Sequence, residues 1–506
     1  MGVLLYTFFK VFLTANNLLL MKRFFLLLVA IAICCSAKAK VTLPRVLGSN
    51  MVLQQSAEVE LWGKAEAGRK VTVEVSWSKS KLKTQADANG DWSVKVQTPK
   101  GSFDKHSITI SDGEKLCLEN VMVGDVWVCA GQSNMEMSIT GFDSNPVENS
   151  LTFISQAGRM ANHIRMFNVR NHRSYMNEQW DCAGGLWQEA SSESVSDTSA
   201  TAYLFAYNLA QVMPYPIGII TADWGGSRIE SWMPMKALEG ILSKEQIEHK
   251  HTLHEIKPSD LYCGMIAPIR RFKAKGFIWY QGEANLGYQR LEYLGDIDHY
   301  DVMMARMVKQ WREDWGDKDN QMPFFYVMVA PFYYCNTFKD TTLPLFIECQ
   351  QRALDLIPNS AMASTTDIGD PTNVHPAKKF EVGQRLAALA LAQTYGFKGF
   401  EPRAPMYVSH EVKDGRIMVK MNNAIYGLTP RHGAVVTGFR IAGADRVFHS
   451  AQATVEGDVV TVWSDKVKQP VAVRYCFHNV PDGGNLKNMY GIPAVPFRTD
   501  RWNDIK

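Results

Sequence analysis

Three textures of hydrophobic and polar positions succeed one another along this chain. Between about residues 40 and 118, apolar and polar side chains alternate in Val59 to Gly63, Lys70 to Val75 and Trp92 to Val96. A period of two predicts half-buried strands, and turn signals such as Ala88-Asn89-Gly90-Asp91 separate them, so a small β-sandwich is expected there. The same texture returns between about 405 and 500, in Arg416 to Met421, Asp458 to Val462 and Val471 to Tyr475. That stretch predicts a second β module or the completion of the first.

The middle of the chain reads differently. Short, near-continuous apolar runs occur at Asp125 to Ala130, Ile217 to Ala222, Gly276 to Tyr280, Phe324 to Ala330 and Ala361 to Thr365. Such runs suit strands buried on both faces of a parallel sheet. Helix-length stretches separate them. Tyr300 to Trp315 and Ala377 to Tyr395 have helical spacing, the second behind Pro376 at an N1 position. Strand alternating with helix predicts an α/β/α sandwich flanked by β modules. In such sheets the reacting groups stand on loops beyond the carboxyl ends of the strands.

Composition narrows the partners. With 506 residues, 46% of them hydrophobic and 21% charged, the chain can bury large cores in two or three domains. A net charge of +3 gives no electrostatic reason to expect nucleic acid. Met21-Lys22-Arg23, the apolar run Phe24 to Cys35 and Ala37-Lys38-Ala39 have the order of a signal peptide, with residues 1–20 as an upstream extension. The apolar run is shorter than the roughly 20 residues a membrane span needs. Export to the periplasm or the extracellular space, without membrane insertion after cleavage, is therefore expected. Cleavage after Ala39 leaves seven cysteines, an odd number, and none has zinc-ligand spacing. No metal or other cofactor is expected.

The strand ends carry the chemistry. The first run leads into Gly131-Gln132-Ser133-Asn134-Met135, where Ser133 sits at a strand-to-helix turn, either as an exposed nucleophile or as a helix cap. The second ends in Asp223-Trp224-Gly225-Gly226-Ser227-Arg228, whose glycines allow close approach to a substrate or simply make a turn. The third ends in Gln281-Gly282-Glu283-Ala284-Asn285, where an amide can donate to a developing oxyanion. The last leads to Asp367-Ile368-Gly369-Asp370-Pro371-Thr372-Asn373-Val374-His375-Pro376. A histidine there can take the serine proton while a carboxylate holds its tautomer.

These residues resemble a known family. Gly-Gln-Ser-Asn-Met at 131–135, Trp-Gly-Gly-x-x-Ile-Glu-x-Trp at 224–232, Trp-Tyr-Gln-Gly-Glu at 279–283 and Gly-Asp-Pro-x-x-x-His-Pro at 369–376 are landmarks of the sialate O-acetylesterases, a carbohydrate-esterase branch of the SGNH hydrolases. The resemblance covers essentially the whole chain after the signal segment, including Pro44 to Gln54. It implies Ser133 as nucleophile and His375 as base, with Gly225, Gly226, Gln281, Glu283 and Asn285 forming the oxyanion and acyl pocket. Gln132, Asn134 and Arg228 are expected to contact substrate, Arg228 by pairing with a sialic acid carboxylate or else with a neighbouring acidic residue. The sequence departs from the SGNH pattern at one position. Thr372 stands three residues before His375, where these enzymes usually place Asp, which leaves Asp370 as the expected orienting acid, Glu283 as the second candidate and a main-chain carbonyl as the alternative to either.

The expected division is a signal segment and extension at 1–39, a β-sandwich at 40–118, the hydrolase domain at 119–400 and a β-rich region at 401–506. Its expected substrate is an O-acetylated sugar, sialic acid first and acetylated xylan or another plant glycan second. Two other classes compete. Glu230 and Glu283 could serve as the paired carboxylates of a glycosidase, but that leaves Ser133 and His375 unused and needs eight barrel strands where about five are visible. A sugar-binding protein without chemistry would not need both Ser133 and His375.

Overall fold

A computed structural model describes residues 41–142, 145–248, 255–286, 299–334, 340–430, 435–481 and 483–502. The expected signal segment and Cys335 lie outside the described residues. Among the described residues no disulfide joins any two of the six cysteines from Cys117 to Cys476.

One strand organises the chain. Strand β1, Lys115–Gly131, is seventeen residues long. Its first half pairs antiparallel with Ser102–Ser111 and parallel with Val52–Gln54, inside the N-terminal β module. From Asp125 onward it enters the central parallel sheet. The boundary expected at 118/119 therefore falls within a single strand. Val121 to Ala130 are buried without a break, so no exposed linker can form there.

The other strands of the central sheet are β2 (Ile164–Asn168), β3 (Trp187–Glu189), β4 (Ile217–Asp223), β5 (Gly276–Tyr280), β6 (Phe324–Val327) and β7 (Ser360–Ala363). Their order is β7-β6-β5-β1-β4-β2-β3, parallel throughout except for the edge strand β3. Asp223 and Tyr280 both pair with Gly131, so the ends of β4, β1 and β5 reach one level. That shared level is where the site forms.

Helices cover both faces. They are α1 (Ser133–Glu136), α2 (Ala200–Ala210), α3 (Tyr300–Asp314), α4 (Thr342–Leu356) and α5 (Lys379–Gln393). Trp127, Cys129, Ile219 and Ile278 point to the face under α2 and α5, in one core with Leu204 and Leu386. Val126, Val128, Phe277 and Trp279 point to the other, with Met303 and Trp311 of α3 and Phe346 of α4. The alternation along β1 and β5 thus divides their side chains between two cores, as an α/β/α sandwich requires. Helix α5 begins at Lys379 with Lys378 as its N-cap, so Pro376 precedes the helix and does not occupy N1. Ala377 is held in the loop instead, its carbonyl accepting from the Glu148 amide at 2.9 Å.

The C-terminal region has its own core. Its two four-stranded antiparallel sheets enclose Ile417, Val419, Val460, Val462, Ile441, Val473 and Phe497. It is a second β module and not a completion of the first. Asp367 joins it to the hydrolase domain. Its carboxylate accepts from Arg385 of α5 at 2.8 and 3.0 Å and from Lys487 of the C-terminal module at 2.9 Å. Burial alone would raise this carboxyl, but the bonds and charges of Arg385 and Lys487 outweigh it and hold Asp367 below its ordinary value. A depressed pKa contributes stability above the unfolded value, near 4, that is lost as pH falls through the folded one. Asp367→Asn should therefore lower stability by about 1–3 kcal/mol at pH 7, with the gap to wild type closing as melts are taken from pH 5 down to 3.

Candidate active site

The serine turn is built by backbone constraint. At Gly131 φ is +155°, and a Cβ there would lie 2.1 Å from the Tyr280 carbonyl oxygen. Only glycine lets β1 end in this way between its neighbours. The ends are then pinned, with the Gln132 amide donating to Tyr280 O at 3.1 Å and the Trp224 amide donating to Gly131 O at 3.1 Å. Ser133 follows as the first residue of α1, partly buried, with its hydroxyl making no hydrogen bond among the described residues. Gly225 faces it, since a Cβ at Gly225 would stand 3.4 Å from Ser133 Cβ and 2.9 Å from Glu136 Oε2.

His375 arrives on the loop between β7 and α5, which is held through its main chain. The His375 amide donates to Asn373 Oδ1 at 2.8 Å, and Asn145 Nδ2 donates to the His375 carbonyl at 2.5 Å. The Phe142 ring meets the imidazole edge-on at 5.1 Å between centroids. Asn134, the neighbour of Ser133, donates through Nδ2 to the carbonyl of Val374, the neighbour of His375, at 3.0 Å. One side-chain bond thus ties the serine turn to the histidine loop.

Asp370, expected as the orienting acid, is bonded within its own loop. Its Oδ1 accepts from the Thr372 amide at 2.8 Å, the Thr372 hydroxyl at 2.8 Å and the Asn373 amide at 3.2 Å. Those bonds hold its carboxyl below the ordinary range and close the turn that presents Asn373 to the His375 amide. Among the described hydrogen bonds none joins Asp370 to His375. Asp370 shapes the loop.

The polar cluster after β5 is a buried scaffold. Gln281 Nε2 donates to Gln132 Oε1 (3.0 Å), Ser227 O (3.1 Å) and Asn285 Oδ1 (2.8 Å), while its Oε1 accepts from the Tyr300 hydroxyl (2.7 Å). Asn285 Nδ2 donates to Glu230 Oε2 at 3.0 Å, and Asn285 Oδ1 also accepts from the Ile229 amide at 2.9 Å. Gln132 Oε1 also accepts from the Gly282 and Ala284 amides. Gln281 and Asn285, expected as oxyanion and acyl-pocket residues, are thus engaged with their neighbours in this network. Arg228 is buried and paired with Glu230 at 3.1 Å, the neighbouring carboxylate that was the alternative to a substrate's. Asn134 and Glu283 are likewise buried and face one another, with Asn134 Nδ2 donating to Glu283 Oε1 at 2.5 Å. The Gly225 amide is also taken, by Glu136 Oε2 at 2.6 Å, whereas the Gly226 amide makes no hydrogen bond among the described residues.

Glu136, Asn145, Phe142 and Lys379 were not expected here. Lys379, on the first turn of α5, is fully buried and donates from Nζ to Asn134 Oδ1 at 2.5 Å. Burial pushes its ammonium down to about 7, against the supporting charge of Glu283, and burial pushes Glu283 up. Asp223 at the end of β4 is driven well above the ordinary carboxyl range, by burial first and by Glu136 second. Among the described residues no group of three His, Cys, Asp or Glu side chains is placed to hold a metal ion.

A serine at the end of the central strand and a histidine on the loop before the last helix, on a sheet of this order, define an SGNH-type hydrolase. The chain is similar over 92% of its length to all of a carbohydrate acetylesterase from Xanthomonas citri, with a TM-score of 0.81 and 33% identity. A family model described as carbohydrate esterase, sialic acid-specific acetylesterase, matches residues 123–392. The sialate O-acetylesterase of Homo sapiens is 28% identical over 391 residues, 71% of this chain and 72% of that one. That of Rattus norvegicus is 26% identical over 416 residues, 70% and 74% of the two chains. This chain belongs to the sialic acid-specific acetylesterase family of carbohydrate esterases and hydrolyses O-acetyl esters on sugars.

Because a Cβ at Gly131 collides with the Tyr280 carbonyl, Gly131→Ala should disturb the whole rim. We expect a loss of about 3 kcal/mol or more, read as a lowered melting temperature with parallel loss of esterase activity.

Proposed function

We propose that this esterase works by nucleophilic catalysis, with Ser133 as nucleophile and His375 as general base. Ser133 Oγ adds to the acetyl carbonyl as its proton passes to the His375 ring. The tetrahedral intermediate then expels the sugar hydroxyl, which takes that proton back and leaves an acetyl-enzyme. Water, deprotonated by the same ring, releases acetate and restores Ser133. The free Gly226 amide beside the serine turn serves as an oxyanion donor in place of Gly225 and Gln281. The observation that carries this reading is the Asn134 bond to Val374 O, which brings the segments bearing Ser133 and His375 together at the rim.

The family description and the curated relatives support an O-acetylated sialic acid as substrate. A specific observation favours the second reading, an acetylated plant glycan: the pairing of Arg228 with Glu230 removes the cation expected to meet the sialate carboxylate. Acetate release from O-acetylated sialic acids and from acetylated xylan, measured side by side, decides between them. Export rests on the signal-like segment Met21 to Ala39, and the N-terminal sequence of the secreted protein should begin at Lys40. No helix among the described residues is long and apolar enough to cross a membrane.

Ser133→Ala should lower turnover of p-nitrophenyl acetate by about 10³-fold or more without changing the melting temperature. A variant keeping a tenth of wild-type turnover would exclude Ser133 as nucleophile. Asp370→Asn separates a loop-shaping role from an orienting one. An amide oxygen can still cap the turn, so we expect a loss below about 10-fold, against about 10⁴-fold if Asp370 held the ring tautomer. Prolonged dialysis against a strong chelator should leave the rate unchanged, because the serine supplies the nucleophile.

A further inference from the structure

The rim contains a buried lysine that the chemistry above does not use. Lys379 opens α5, and its Nζ lies 5.3 Å from the centre of the Tyr280 ring. An ammonium at a helix N-terminus opposes the helix dipole, and burial removes its hydration. The folding of α5 gives no reason for a lysine here.

Its partner supplies the reason. The Asn134 side-chain amide is saturated, with Oδ1 accepting from Lys379 and Nδ2 donating to Glu283 Oε1 and Val374 O. Three segments meet on that one amide: the serine turn, the loop after β5 and the loop bearing His375. Glu283 is buried as well, and its Oε2 has no hydrogen-bond partner. Without the ammonium, Asn134 Oδ1 would be an unsatisfied buried acceptor and Glu283 a buried carboxylate without a cation. Glu283 would then take up a proton and become a donor towards Asn134. The amide would turn over to accept it, and the Val374 carbonyl would lose its donor.

We propose that Lys379 is a positioning residue for ester hydrolysis, its bond to Asn134 setting the orientation of the amide that holds Val374 and thereby placing His375 against Ser133. The inference rests on the Ser133–His375 reading above. Nothing here brings Lys379 into contact with substrate, so the expected signature is a fall in kcat with KM preserved.

The test compares Lys379→Met, the double variant Lys379→Met/Glu283→Gln and Ser133→Ala, using p-nitrophenyl acetate and thermal melts. Lys379→Met should fold and lose about 10²-fold in kcat, the scale on which small misplacements act, with KM within about 2-fold of wild type. If the single variant does not fold, the double variant removes the stranded carboxylate as well and should show the same kcat loss. A folded variant with wild-type kcat, or one whose defect lies in KM alone, overturns the proposal. Failure of both variants to fold overturns it too, because the cluster would then serve folding and not placement. An inactive Ser133→Ala beside a fully active Lys379→Met sinks only this inference, whereas an active Ser133→Ala sinks the serine mechanism itself.

Discussion

The rim depends on polar side chains that are buried between the ends of β1, β4 and β5 and satisfy one another. A buried donor or acceptor left without a partner costs about 1–3 kcal/mol, so a set of amides and carboxylates in this position destabilises the fold unless its bonds close. Here they close around Gln281. It draws Gln132 from the β1 end, Ser227 from the loop after β4 and Asn285 from its own loop to a single side-chain amide, with Tyr300 of α3 behind it. Arg228 and Glu230 extend the set as an ion pair tied to Asn285. Such a network specifies one arrangement, because any slippage of a strand end strands several groups at once. The serine turn is rigid for that reason and not because of its own four-residue helix.

Much of this architecture was legible in the chain. The parallel strands β1, β4, β5, β6 and β7 announce themselves as apolar runs because both faces of the sheet are covered. Strand β2 does not. Its Arg165 interrupts the run, yet that side chain is fully buried and bonded to Glu189 of β3. Burial of a paired charge is a tertiary fact that no window of sequence displays. Helix α2 was hidden for the opposite reason. Ala200 to Ala206 are all buried, so the period of 3.6 that marks a half-exposed helix is missing. Helix α4 carries Pro344 in its first turn, where it is tolerated but reads as a breaker.

At the site, segments were legible and side-chain directions were not. Ser133 and His375 stand at the rim that strand ends and loop order indicated. Gln281, Asn285 and Arg228 look like ligand contacts in sequence because polar residues after a buried strand usually face a cleft. Here they turn inward, since the network gives each a partner that water or substrate would otherwise supply. Gly225 shows the same limit on a smaller scale. Its lack of a side chain is used for close approach to Ser133 and Glu136, but its amide is consumed by the Glu136 carboxylate. Lys379 was invisible because a lysine at the start of a helix reads as solvated.

The departure at Thr372 has a counterpart in how the histidine loop is held. Where an SGNH enzyme would place an acid three residues before the base, this chain has a hydroxyl that donates to Asp370. That bond belongs to a turn which presents Asn373 to the His375 amide. Asn145 holds the carbonyl of His375, and Asn134 holds the carbonyl before it. The main chain on both sides of His375 is therefore fixed by three asparagines from three segments, and Phe142 bounds the ring at its edge. Fixing the backbone limits how far the loop can carry His375, so in the proposed mechanism part of the entropy of alignment is lost at folding and not at the transition state. Asparagine suits the task, because a short amide both donates and accepts without adding a charge that would compete for the imidazolium of the proposed mechanism. In the proposed mechanism Lys379 and Glu283 bear on His375 through the Asn134 amide, which bonds to both of them and to the Val374 carbonyl.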